Sequence, residues 1–142
     1  MNTPPPTGNP TVWLTLQAHD AAALIDYYTT TFGFVVAARC DGDGDTVAHA
    51  ELHWPQGTGA IMLGSYRPGR PWCRQPGTAG GYVVTADPEA LYRRVCERRA
   101  DVVMALTDTD YGSREFAVRD PEGNLWSFGS YPGAPGSAGK AQ

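Results

Sequence analysis

The chain has 142 residues, 42% of them apolar, and a net charge of −4. That length suits one domain or two small fused modules with a real core. The charge argues against a nucleic-acid partner and weakly favours a cationic ligand. No apolar run approaches a membrane span. Cys40, Cys73 and Cys96 are odd in number and unpatterned, so they read as free thiols of a reducing compartment. The opening MNTPPPTGNP has neither the basic nor the apolar region of a signal peptide, and the cytoplasm is the expected location.

Residues 1–10 and 132–142 are rich in Pro, Gly, Ala and Ser and are expected to be disordered tails. Val12 to Gln17 alternates as a first strand. Val12, Leu14 and Leu16 share one face; Trp13, Thr15 and Gln17 share the other. Asp20 caps a helix over Ala21 to Phe32, with Leu24, Ile25, Tyr28 and Phe32 as its buried stripe, and Gly33 ends it. Phe34 to Cys40, Val47 to Trp54 and Ala60 to Tyr66 are further strands. Arg67 to Gly80 holds three Pro and three Gly, which excludes regular structure, and it reads as a linker. Gly81 to Thr85 is a strand. Asp87 caps a second helix with Pro88 at its first position and Leu91, Tyr92, Val95 and Cys96 inward. Val102 to Leu106 is the next strand.

Tyr111 to Tyr131 reads as two strands joined by a tight turn. Phe116 and Val118 share a face of the first; Trp126 and Phe128 share a face of the second. Asp120-Pro121-Glu122-Gly123-Asn124 is turn chemistry. The order is then β-α-β-β-β, linker, β-α-β-β-β, over residues 11–66, 67–80 and 81–131. Residues repeat as well as pattern: Asp20 and Asp87 cap the two helices, and Val35-Val36 and Val102-Val103 recur at the same interval. Gly64-Ser65-Tyr66 returns as Gly129-Ser130-Tyr131. Such regularity argues for two copies of one unit.

The D-P-x-G-N hairpin closing on an aromatic resembles the last hairpin of the vicinal oxygen chelate superfamily. That superfamily includes glyoxalase I, extradiol dioxygenases, fosfomycin-resistance enzymes and bleomycin-resistance proteins. The resemblance covers about residues 11–131. It implies an α+β fold of two tandem βαβββ modules, forming a glyoxalase/bleomycin-resistance-type cupped sheet around a shared groove. Catalytic members hold a divalent metal there with His, Gln or Glu. The matching positions in this chain are Trp13, Gly80, Met62 and Ser127. Trp and Gly offer no ligand, Met is soft, and a lone Ser hydroxyl is weak, so no metal and no cofactor are expected.

Other polar groups offer little more. His49, Glu51 and His53 alternate on one strand face, but the two histidines stand about 13 Å apart along it, too far for one ion. The plainer reading is a polar strand face. Asp41, Asp43 and Asp45 open like an EF-hand loop, yet Thr46 stands at its sixth position and Leu52 at its twelfth. His19 reads as a surface residue of the strand–helix loop.

On the face that carries ligands in metal-binding relatives, the resemblance places Trp13, Thr15, Gln17, Met62, Glu115 and Ser127. Trp54, Tyr66 and Trp72 are aromatics able to stack on a flat or cationic ligand. Trp72, beside Arg67, Arg70 and Arg74, either forms a flap over the groove or tucks in the linker. The expected function is a metal-free binding protein of the bleomycin-resistance type. It would sequester an antibiotic or planar aromatic metabolite as a homodimer, with no catalytic residue. The alternative is a glyoxalase-like lyase, isomerase or dioxygenase with a non-standard site built from His49, Glu51, His53 and Glu115.

Overall fold

Two aspartates start the two helices. The carboxylates of Asp20 and Asp87 each accept the backbone N–H three residues on, from Ala23 and Ala90. In the computed structural model, which describes residues 8–136, α1 spans Ala21–Tyr27 and α2 spans Pro88–Glu97. Most of the two predicted tails therefore lies outside the described residues. The first helix departs from expectation at its end. Residues Tyr28–Phe32 form a wider π turn before Gly33 stops it at φ 96°. The cause is the Thr29-Thr30-Thr31 run. The hydroxyls of Thr29 and Thr30 donate back to the Asp26 carbonyl and compete there with the helix ladder.

The strands are β1 Leu14–Ala18, β2 Val35–Asp41, β3 Val47–His53, β4 Ala60–Ser65, β5 Gly80–Val84, β6 Asp101–Asp108, β7 Arg114–Arg119 and β8 Leu125–Gly129. They form two four-stranded sheets, ordered β1-β4-β3-β2 and β5-β8-β7-β6. Within each, the first strand of the module pairs parallel with the last, and the other pairs are antiparallel. These are the two βαβββ modules. The first strand starts at Leu14, not Val12. Val12 is consequently 82% exposed and contributes nothing to the core.

Leu24, Tyr28, Leu91 and Val95 are all buried, as the helical periodicity requires. The helices are not confined to their own modules, however. Trp126 and Phe128 on β8 meet the end of the first helix: the Tyr28 and Trp126 rings lie 5.3 Å apart and Phe32 and Phe128 4.7 Å. Tyr92 of α2 packs on Phe116 of β7. Arg94 of α2 donates to the Thr29 and Thr30 carbonyls within the π turn. The inward faces of both sheets and both helices thus form one continuous core.

The β7–β8 turn fastens the modules together. Buried Asp120 accepts from the Tyr28 hydroxyl, the Trp126 indole and the Asn124 amide through one oxygen. Its other oxygen accepts the backbone N–H groups of Glu122, Gly123 and Asn124. Glu122 in the same turn accepts the His19 and Asp20 N–H groups at 2.8 and 2.9 Å, ahead of α1. With the inner faces so engaged, the opposite faces of the two sheets look outward.

Candidate binding groove

Strand alternation and register decide what the outward face of the first sheet carries. Thr15 lies beside Met62, and Met62 beside Glu51; Gln17 lies beside Gly64. Leu16, Leu63 and Ala50, the intervening positions, are buried on the other side. The face therefore presents Thr15, Gln17, Met62, His49 and Glu51 together. Across it folds the linker. A cavity of about 380 Å³ lies between, walled by Thr15, Gln17, His49 and Met62 from the sheet and by Arg67, Arg70, Trp72 and Arg74 from the linker. The volume falls in the range of small-molecule sites.

Few bonds hold the linker in place. The Arg74 N–H donates to Gln17 Oε1 at 3.4 Å, and the Tyr66 hydroxyl to Gln75 Oε1 at 3.4 Å. Its far end is firmer, where the Ala79 N–H donates to Asn124 Oδ1 at 3.0 Å. Trp72 is 66% exposed at the cavity wall. The Arg70 guanidinium stands 5.9 Å from its ring centre, a cation–π distance. Trp72 thus stands at the cavity wall and is not buried beneath the linker.

The other expected site residues divide. Thr15, Gln17, Met62 and Trp72 meet in this cavity. Trp13 is half-buried just ahead of β1, with its ring edge-on to His53 at 5.5 Å. It borders a neighbouring cavity with Thr15 and Arg74. Tyr66 lies edge-on to His19 and outside the cavity, where it anchors the linker. Trp54 belongs to the core. It shares the face of Ala50 and Leu52, packs on Phe34 at 5.0 Å and donates its indole N–H to the Val84 carbonyl. Glu115 and Ser127 occupy the outward face of the second sheet, away from the cavity lining. Glu115 is buried there and accepts the Tyr111 hydroxyl at 2.7 Å. That carboxylate holds the Tyr111 phenol above its ordinary pKa.

Sequence reasoning carried His49 only in the alternative site and left open whether it faces groove or solvent. It set the three arginines beside Trp72 without choosing between a flap and a tucked linker. The alternation of His49, Glu51 and His53 was legible; their alignment with Met62 needed the β3–β4 register. His49 Nε2 and Glu51 Oε2 lie 2.8 Å apart on this face.

Over residues 11–128 the chain matches the Glyoxalase/Bleomycin resistance protein/Dioxygenase superfamily, and it belongs to that superfamily. An uncharacterised protein of Mycobacterium bovis is 34% identical over 121 residues, covering 80% of this chain and 78% of the relative. Among solved structures, TioX from Micromonospora sp. ML1 superposes with a TM-score of 0.70 at 29% identity, over 87% of this chain and 98% of that one. TnmS3, an antibiotic binding protein from Streptomyces sp. CB03234, superposes with a TM-score of 0.65 at 23% identity, over 82% and 90%.

The metal that the superfamily's enzymes use is poorly served by these residues. Trp13, Met62, Gly80 and Ser127, the residues that the resemblance sets at the ligand positions, supply an indole, a thioether, no side chain and one hydroxyl. Among the described residues, no three His, Cys, Asp or Glu side chains converge to hold an ion. The donors do not fit a divalent cation.

Proposed function

We propose that this protein is a metal-free binding protein that sequesters a planar aromatic small molecule, an antibiotic or related metabolite, without changing it. The observation that carries this reading is the cavity between the first sheet's outward face and the Trp72 flap. An indole left 66% exposed at a cavity wall offers apolar area on which a flat ligand can pack. The fold shared with TnmS3, an antibiotic binding protein, supports the reading, as does a donor set ill suited to metal. We further propose a homodimer with the groove at or near the subunit interface. Tyr82, Val84 and Leu125 are exposed on the outward face of the second sheet, which supports a second copy covering them. A partner's Glu115 and Ser127 face could then complete the groove. The cytoplasm suits the three free thiols.

A second reading has one observation behind it. The close His49–Glu51 pair on the cavity face is an acid–base arrangement of the kind an isomerase or lyase uses. One experiment separates the two. Planar aromatic antibiotics are titrated while tryptophan fluorescence is followed, and the ligand is then recovered and weighed. Quenching that is lost in Trp72→Ala, with unchanged ligand, supports sequestration. A product whose formation stops in His49→Ala or Glu51→Gln supports the enzyme.

A further inference from the structure

The cavity's lid is more cationic than a chain of net charge −4 leads one to expect. Arg67, Arg70 and Arg74 all wall it. None of the three lies in an ion pair with a described residue, whereas Arg39, Arg114 and Arg119 each meet a carboxylate. Glu51, on the facing sheet, is engaged by His49. Three like charges on one short stretch repel one another, and a bound anion between them removes that cost. Guanidinium forks match a carboxylate in a planar, bidentate way. Trp72 stands among them, 66% exposed, with the Arg70 guanidinium over its ring.

We infer that the groove takes a planar aromatic anion, a fused ring system bearing a carboxylate, with the ring on Trp72 and the acid between the linker arginines. The inference rests on the binding reading above and adds the ligand's charge. It reverses what the net charge alone favours, because the local field at the cavity is set by the linker and not by the whole surface. The cavity of about 380 Å³ holds a two- or three-ring system.

The test uses three probes of one shape, β-naphthoate, its neutral amide and β-naphthylmethylammonium, with the full chain and calorimetry at low salt. Naphthoate should bind about tenfold or more tightly than the amide, and the ratio should shrink as salt is raised. The triple variant Arg67→Gln, Arg70→Gln, Arg74→Gln should erase that advantage, so that naphthoate and the amide bind the variant alike. All three arginines are exposed loop residues, so the variant retains the fold, which circular dichroism verifies. Trp72→Ala should weaken all three probes alike. If the amide binds as well as naphthoate, or the ammonium better, the charge inference is overturned while the planar-ligand reading stands. If none of the probes binds the folded wild type, the binding reading falls and takes the inference with it.

Discussion

Asp120 gathers six donors on two oxygens at 4% exposure, from the turn itself and from Tyr28 and Trp126. Removing the acceptor strands several buried donors, each costing about 1–3 kcal/mol. Asp120→Ala should therefore lose more than about 3 kcal/mol in a urea melt; a loss below 1 kcal/mol would show the hub to be dispensable. Tyr28, at the other end of that bond, has a phenol whose pKa is driven well up by burial and by the Asp120 charge. In the unfolded chain the phenol titrates near 10.0. The folded state therefore keeps the proton where the unfolded state releases it. The stability this contributes is complete below about pH 10 and declines as pH rises above it. Wild-type stability should fall more steeply between about pH 10 and 12 than that of Tyr28→Phe, with parallel curves counting against the account. Trp54 shows what a residue list misses. Its place on the face of Ala50 and Leu52, just past the end of β3, was readable from alternation, and that parity, not its aromatic chemistry, put it in the core.

Among the elements, the linker differs most from what composition predicted. Its prolines and glycines correctly excluded a helix or strand, but nothing local revealed which surface it crosses. That choice is made by the bonds from Arg74 to Gln17 and from Tyr66 to Gln75 and by the anchor at Asn124, the first and last of them long-range. Weak tethering has consequences. Trypsin should nick the folded chain after Arg74 early, because Arg67 and Arg70 precede prolines that block cleavage. Saturating ligand should slow that nick, and an unchanged rate would detach the flap from binding. Trp72→Ala should change stability by no more than about 0.5 kcal/mol, whereas Trp126→Ala, 2% exposed in the core, should cost about 3–5 kcal/mol. Equal costs in a denaturant series would contradict the division between flap and core. The π turn was invisible to periodicity for a similar reason: α and π turns bury the same Tyr28 and Phe32, and only the threonine hydroxyls distinguish them.

At the scale of the whole molecule, the internal repeat was legible because each module carries the same helix cap and the same closing G-S-Y. The sharing of one core between modules was not. Trp126 and Phe128 announce an inward face, but whether they meet their own helix or the other depends on a docking that no local pattern encodes. That docking turns the Thr15 and Ser127 faces of the two sheets outward, so among the described residues these equivalent faces line no common cavity. Native mass spectrometry of wild type and Trp72→Ala with a panel of planar aromatic antibiotics reads assembly, metal and ligand in one spectrum. The account predicts a dimer of unmodified chains with no metal adduct, carrying a ligand of unaltered mass that the variant loses. A bound metal ion, a ligand of changed mass, or full occupancy in Trp72→Ala would contradict it.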